Sequence, residues 1–219
     1  MRDKALSNNK ELKKDKRLKL IEAAIDEFNE FGIENASYNR IIERSGLSKG
    51  SVYYHFDNKD ALLAIVMEDI CERVLQAVPE KDLPQSVNDF WNTLWDYRQR
   101  EFDFFAAHVR LGRILIMSLG VPRADIKELE KLRAPLARLL DRHVKLIQRG
   151  QDLGAIRSDI SVDLIFSIMK SVDRSLCISF FGRNADDIYK ISEAERLARS
   201  KIYTALFNDL IKRMFEPLK

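Results

Sequence analysis

Basic, aromatic and hydroxyl side chains are concentrated in one short segment, residues 37–56. A lysine can donate to guanine O6 or N7, and an adjacent glycine lets a helix approach the floor of the major groove. Tyrosine and histidine can donate to phosphates and present flat surfaces to sugars and thymine methyls. We therefore predict that double-stranded DNA is contacted by residues of this segment and by the lysine that opens the next helix. The predicted contacts are Ser37, Tyr38, Ser48, Lys49, Gly50, Ser51, Tyr53, Tyr54, His55 and Lys59.

The same segment also fits a catalytic motif. Residues 46–50 have the G-x-S-x-G spacing of the nucleophile elbow in α/β-hydrolases. That elbow needs a strand before it, whereas helical periodicity precedes Gly46 and the chain has no parallel-sheet pattern. We therefore expect no catalytic residue and no enzymatic activity, and a hydrolase is a distant third hypothesis.

Two short helices are predicted to position the DNA-contacting side chains. Ser37 and Ser48 are favourable N-cap residues, and each precedes a short helical pattern. A tight turn at Gly46 joins the two helices, as in a helix-turn-helix. Val52 and Phe56 lie four residues apart on the second helix, so they share a face that we expect to pack inward.

Helical periodicity continues through the rest of the chain, and strand signals are scarce. A first helix with Leu18, Ile21, Ala24, Ile25 and Phe28 on one face is predicted to end at Gly32. Later helices are predicted over 58–78, from 84–86 through Trp95, 102–119, about 123–153 with a kink at Pro135, 161–181 and 192–215. The fold class is all-α with about nine helices: a three-helix DNA-binding head containing the helix-turn-helix, plus a larger helical regulatory and dimerisation bundle.

The domain prediction follows from charge and helix length. The first 20 residues contain eight Lys or Arg and three Asp or Glu, an excess expected of a segment that meets a polyanion. We predict a basic flexible arm over residues 1–17, a helix-turn-helix domain over 18–63, and a helical effector-binding and dimerisation domain over 64–219. A solvated tail without a partner is an equally good interpretation of the arm's charge alone.

The segment from Ile21 to Leu63 resembles the DNA-binding domain of tetracycline-repressor-like (TetR) regulators. The resemblance is carried by Ala23-Ala24, Phe28 and Gly32 in the first helix and by the block Ser48-Lys49-Gly50-Ser51-Val52-Tyr53-Tyr54-His55-Phe56-Asp57-Asn58-Lys59-Asp60-Ala61-Leu62. Ala36, Ile42 and Ser45 depart from the usual Thr, Ala and Ala. The resemblance implies a cytoplasmic transcriptional regulator, usually a repressor, that binds a pseudo-palindromic operator as a homodimer.

The last two helices are predicted to form the dimer interface. The proposed apolar strips contain Leu164, Ile165, Ile168, Met169, Val172 and Leu176 on one helix and Leu206, Leu210 and Met214 on the other. Two such helices from each subunit would form a four-helix bundle. We expect no membrane segment, because the longest apolar run, residues 114–117, is far shorter than the roughly 20 residues that cross a bilayer.

A small apolar or amphipathic effector is predicted to bind the bundle and release the DNA. Apolar and aromatic side chains commonly line pockets in helical bundles, and the candidates are Trp91, Trp95, Phe102, Phe105, His108, Arg110 and Met117. The scattered cysteines and histidines indicate no metal site, and no cofactor is expected. The alternative hypothesis is a DNA-binding architectural or protein-regulated factor that has no small-molecule ligand.

Overall fold

The computed structural model describes residues 2–118, 133–181 and 186–217, with side chains for all of these except 2–13, 55, 133–136, 181, 186 and 187. Ten helices and no strand occur in these ranges. The helices are α1 (Arg2–Asn35), α2 (Tyr38–Ser45), α3 (Lys49–His55), α4 (Lys59–Ala77), α5 (Val87–Ala107), α6 (Val109–Ser118), α7 (Arg133–Asp152), α8 (Val162–Phe181), α9 (Asp186–Lys190) and α10 (Glu193–Phe215). The all-α class is confirmed, and α9 is the helix that the sequence pattern did not predict.

The described residues form two compact units. The first, which we call the head unit, contains α1 to α3, α4 as far as Ile70, and the described residues Met117, Ser118 and Arg133. The second, the bundle unit, contains α4 from Cys71, α5, α6 as far as Ile116, α7 from Ala134, and α8 to α10. The chain thus passes from one unit to the other within α4, the helix that also contains the domain boundary expected after residue 63. The function of each unit stays a prediction.

Helix α1 is longer than the sequence pattern indicates. It begins at Arg2, so the backbone is helical where we expected a flexible arm over residues 1–17. Lys, Arg, Leu, Glu and Ala, which favour helix, make up 11 of residues 2–17, and neither glycine nor proline interrupts α1 before Gly32. At Gly32 φ is 77°, a left-handed value that favours glycine, and the chain resumes helical geometry as far as Asn35.

The turns of the head unit follow the local signals in the sequence. Ser37 is the N-cap of α2, and Ser48 is the N-cap of α3, as predicted. Between them Gly46 has φ 67° and donates its N–H to the Glu43 carbonyl, which ends α2. The helix-turn-helix geometry therefore forms where the sequence predicted it.

The apolar face of α1 packs in the head core with one difference from the prediction. Ile21, Ala24, Ile25 and Phe28 are buried, but Leu18 is 40% exposed. Leu20 is buried instead, and it lines a cleft together with Val52 of α3. The remaining core of the head unit includes Ile41, Ile42, Leu62, Leu63 and Val66.

The helix boundaries of the bundle unit differ from the prediction at one described position. Helix α5 continues through residue 102 to Ala107, and the chain breaks at His108, which has φ −112° and ψ 59°. Helix α6 therefore starts at Val109 rather than at residue 102. The predicted break at Gly120–Pro122 and the helix start near Arg123 lie outside the described residues, whereas the predicted stop at Gly154 is present, with φ 71°.

Helices α5, α7, α8 and α10 form the main core of the bundle unit. Helices α5 and α10 run antiparallel, because Gln99 and Asp103 bond to Ser200 while Trp91 and Trp95 lie beside Lys212. The buried members of this core include Phe90, Trp91, Leu94, Tyr97, Leu146, Ile147, Ile165, Met169, Phe207, Ile211 and Phe215.

Candidate nucleic-acid interface

Helix α3 has a polar, exposed first turn and a buried apolar face. The Ser48 hydroxyl accepts a hydrogen bond from the Ser51 N–H at 3.3 Å, which holds the first turn of the helix. Val52 is 2% exposed, as predicted, whereas Phe56, at the C-cap, is only partly buried. The side chains of the first turn are therefore directed away from the head core.

The exposed end of α3 contains a lysine, a glycine and two tyrosines. Lys49 and Gly50 are exposed, and a Cβ built on Gly50 would meet no atom within 4 Å. Tyr53 is 47% exposed and Tyr54 is 84% exposed. These residue types can approach and hydrogen-bond a polyanion without rearrangement of the head core. The side chain of His55, another predicted contact, lies outside the described residues.

Tyr38 connects α2 to the end of α3. Its hydroxyl donates to the Phe56 carbonyl. Its ring packs edge-on against that of Tyr53, with centroids 5.1 Å apart, and the Tyr53 hydroxyl donates to Asn39 Oδ1 at 3.4 Å. Burial raises the pKa of Tyr38, and Tyr53 and Asp57 add to the effect. Tyr38 thus orients the exposed Tyr53, a role that the sequence did not indicate.

The buried carboxylate of Glu27 positions the start of α2. Glu27 is 0% exposed, and its Oε1 accepts from the Ser37 N–H at 2.8 Å and from Arg40 Nε at 2.7 Å. Arg44 Nε lies 3.5 Å from the other oxygen, Oε2. Burial alone would raise the pKa of Glu27, but the hydrogen bonds from Arg40 and Ser37 and the charge of both arginines hold it below its ordinary value.

Glu27 was not predicted as a functional residue. Its only signal in the sequence is an acidic residue beside the apolar stripe of α1, one position before the buried Phe28. An acidic residue there usually lies on the solvated side of a helix, so the pattern alone does not identify a buried anion. The partners Ser37 and Arg40 are 10 and 13 residues away in sequence.

Lys59 lies at the start of α4, where a phosphate contact was predicted. Asn58 caps this helix, because its Oδ1 accepts from the Ala61 N–H at 2.9 Å. The Lys59 ammonium donates to the Glu34 carbonyl, near the end of α1, at 2.7 Å. Lys59 therefore joins α4 to α1 inside the head unit, and an ammonium retains two further donors after making this bond.

Comparisons with known proteins agree with this geometry. The sequence profile described as "Bacterial regulatory proteins, tetR family" matches residues 20–66, which span α2, α3 and parts of α1 and α4. The transcriptional repressor AcnR of Corynebacterium diphtheriae is 26% identical over 157 residues, covering 72% of this chain and 76% of AcnR. Together these matches support a transcriptional regulator of the TetR family.

Solved structures of transcriptional regulators share the fold of this chain. The regulator FadR from Bacillus subtilis, in complex with stearoyl-CoA, has a TM-score of 0.65 at 18% identity and covers 87% of this chain and 96% of FadR. SmeT, the repressor of the Stenotrophomonas maltophilia efflux pump SmeDEF, has a TM-score of 0.65 at 21% identity and covers 93% of each chain. At these identities the comparison establishes the fold.

The predicted effector-binding residues occupy different environments. Trp91 and Trp95 contact the main bundle core, with ring centroids 6.2 Å apart, and both lie beside Lys212. Phe102 packs against Phe180, and Phe105 packs against a smaller cluster around Val109 and Ile188. His108 and Arg110 are exposed, and Met117 is partly buried. The bundle unit thus brings together the two tryptophans and separates them from Phe105 and His108.

A buried ionic cluster crosses the interior of the bundle unit. Arg98 donates to Glu101 at 2.5 Å and to Asp173, while Arg142 donates to Glu101 at 2.5 Å; Nε2 of His143 lies 3.4 Å from the same carboxylate. Burial alone would raise the pKa of Glu101, but His143, Arg98 and Arg142 hold it well below its usual range. The cluster joins α5, α7 and α8, and sequence reasoning missed all five residues.

Neither a membrane-spanning helix nor a metal site is present among the described residues. None of their helices combines the length and apolar character needed to cross a bilayer. No group of three or more His, Cys, Asp or Glu side chains within the described ranges is arranged to hold a metal ion.

Proposed function

We propose that this TetR-family regulator represses transcription by binding a pseudo-palindromic operator as a homodimer in the cytoplasm. The observation that carries the proposal is the exposed first turn of α3, where Lys49 and Gly50 project from a helix that is anchored through Val52. A helix with this arrangement fits the major groove, and a dimer would place two of them in successive grooves. AcnR and SmeT are described as repressors, and the similarity to them favours repression over activation.

Exposed apolar side chains support a dimer interface on the last two long helices. On α10, Ile202 is 67% exposed, Leu206 45% and Met214 41%, and on α8, Leu164 is 52% exposed. Large apolar groups at such exposure favour association. Ile165 and Met169, which we assigned to the interface from the sequence, are buried in the core of their own bundle, so the interface we propose uses α10 and the Leu164 edge of α8.

We further propose that an apolar or amphipathic effector binds the bundle unit and weakens operator binding. The buried Trp91 ring and the partly buried Trp95 ring support a ligand with an apolar part, and FadR is a structural neighbour that was solved in complex with stearoyl-CoA. The separation of Phe105 and His108 from the tryptophans favours the alternative, a DNA-binding factor without a small-molecule ligand.

Selection from a random duplex library tests the operator proposal. The expected result is enrichment of a pseudo-palindrome whose half-site centres lie about one helical turn, or a multiple of it, apart. Enrichment of no sequence, with binding that depends on salt alone, would contradict it. The selected duplex then serves for effector screening, with Trp91 and Trp95 fluorescence, melting temperature and operator affinity as readouts. If apolar and amphipathic compounds change none of the three, the ligand-free alternative is favoured.

A further inference from the structure

A cleft opens in the head unit between α1 and α3. Its volume is about 280 Å³. Leu20 of α1, Leu47 of the turn, and Val52 and Phe56 of the α3 segment supply its apolar wall. Its polar rim consists of Lys16 and Arg17 on α1 and Ser51 on α3. The cleft therefore has an apolar floor and a rim that carries two cations and one hydroxyl group.

The polar groups of the rim differ in what they already bind. Arg17 donates to Glu68 at 2.5 Å, so its charge is paired. Lys16 has no ion-pair partner among the described side chains, and the Ser51 hydroxyl makes no hydrogen bond to the residues that the structure describes. A cation and a hydroxyl without partners at the mouth of an apolar cleft are complementary to a ligand with one anionic end.

The volume limits the size of that ligand. At about 30 Å³ for each water-sized group, the cleft holds about nine such groups. We propose that this cleft binds a medium-chain alkyl carboxylate, with its chain along Leu20, Leu47 and Val52 and its carboxylate between Lys16 and Ser51. The site lies wholly in the head unit and is separate from the effector region proposed for the bundle unit.

Binding here has a consequence for DNA. Ser51 borders the cleft and also belongs to the predicted DNA-contacting residues, so the carboxylate and the operator would compete at that residue; this step rests on the proposed function. Occupancy should therefore lower operator affinity, and the operator should lower carboxylate affinity by the same factor.

Methyl NMR of the full-length chain tests the proposal with octanoate as the probe. Octanoate should shift the methyl signals of Leu20, Leu47 and Val52, while those of Leu94 and Leu146 in the bundle core stay in place. Leu47→Trp should abolish these shifts by filling the cleft. Lys16→Gln should weaken octanoate binding about two- to fivefold, as expected for an exposed ion pair, and should not change the weaker binding of octan-1-ol. Lys14→Gln, an exposed lysine outside the lining, should leave octanoate affinity unchanged.

Several outcomes overturn the proposal. Shifts confined to bundle-unit methyls would place octanoate in the other region, and an absence of shifts would exclude the cleft as its site. If Lys16→Gln and Lys14→Gln had equal effects, the carboxylate would not be bound at the rim. Lys16→Gln with the octanoate and octan-1-ol pair provides a test that does not depend on correct folding of Leu47→Trp. Operator binding measured without octanoate tests the proposed function separately, since it can persist when the cleft proposal fails.

Discussion

The buried guanidinium of Arg142 and the buried carboxylate of Glu101 lie 2.5 Å apart, across α7 and α5. A second nitrogen of Arg142 donates to the carbonyl of Val78, the residue after α4, at 2.6 Å. One arginine therefore connects the end of α4 to the two helices that form the centre of the bundle unit. Because both charged groups are buried away from water, the attraction between them has to compensate for their lost hydration.

Glu101→Gln should lower the free energy of unfolding by about 3–5 kcal/mol at pH 7, since it leaves Arg98 and Arg142 without their shared anion. The pKa of Glu101 is lower in the folded state than its unfolded value of about 4.3. Its stabilisation is therefore complete above about pH 5 and is lost as the pH falls below the unfolded pKa.

Urea unfolding of both proteins at pH 7 and pH 4 measures this contribution. The difference in the free energy of unfolding between wild type and Glu101→Gln should become smaller at pH 4. Glu80→Gln, a change at an exposed glutamate of the same unit, should have little effect at either pH. A difference that grows on acidification would contradict the assigned pKa direction.

Two glutamates on α1 should differ strongly in their effect on the head unit. Glu27→Ala removes a fully buried acceptor from Ser37 and Arg40 and should cost about 1–3 kcal/mol. Glu30→Ala removes an exposed partner of Arg44 and should cost about 0–1 kcal/mol. Amide hydrogen exchange at Ser37 provides the local readout, because its N–H bonds directly to Glu27. Equal protection of this amide in the two variants would show that Glu27 does not position α2.

Lys49 and Lys59 should affect DNA binding in different ways. Lys49, exposed in the first turn of α3, is predicted to read a base edge, so Lys49→Ala should remove roughly 1–3 kcal/mol of discrimination at one base pair per half-site. Lys59, which bonds to Glu34, is predicted to meet a phosphate with its remaining donors. Lys59→Ala should weaken all sequences equally and reduce the slope of log affinity against log salt by about one per subunit.

Affinity for a duplex library at several salt concentrations separates these two roles. A change in base preference for Lys59→Ala, with none for Lys49→Ala, would mean that α3 docks in another orientation. If Lys59→Ala leaves the salt slope unchanged but makes the head unit less stable, Lys59 contacts Glu34 and does not contact a DNA phosphate.

Two glycine-to-alanine changes should differ in their effects on stability and on operator affinity. A Cβ at Gly150 would lie 2.5 Å from Cε2 of the buried Phe90, so Gly150→Ala should destabilise the protein by about 1–3 kcal/mol through overpacking. A Cβ at Gly50 meets open space, and alanine favours helix over glycine by roughly 0.5–1 kcal/mol. Gly50→Ala should therefore keep or raise the melting temperature but lower operator affinity. Unchanged operator affinity in Gly50→Ala would argue against close approach of α3 to the groove.

Charge on the exposed strip of α10 should disrupt the dimer. Ile202→Glu with Leu206→Glu should give monomers in analytical ultracentrifugation and weaken operator binding, because a desolvated, unpaired carboxylate is unfavourable in an apolar interface. Leu83→Glu, at a leucine of similar exposure to Leu206 that lies outside α8 and α10, is the matched control and should leave the dimer intact. A monomeric wild type at micromolar concentration would refute the proposed interface.

The local features of the head unit could be predicted from the sequence. Ser37, Gly46 and Ser48 act within one helical turn of their own position, so a cap or a left-handed turn depends on the residue type and its immediate neighbours. The break at His108 was missed because its signal is weak: α5 contains neither proline nor glycine that would mark where it ends. The same applies to the length of α1, where net charge indicated a flexible arm although the residues favour helix.

The roles of several charged residues depend on the tertiary structure. Glu27, Lys59, Glu101 and Arg142 are ordinary charged residues in the sequence, where nothing distinguishes them from solvated ones. Glu34 lies 25 positions from Lys59, and Glu101 lies 41 positions from Arg142. The sequence by itself determined the helices, their caps and the exposed first turn of α3, because those depend on interactions between neighbouring residues. Helix packing decided which charges are buried and what each one binds, because burial and pairing require residues far apart in the chain to meet.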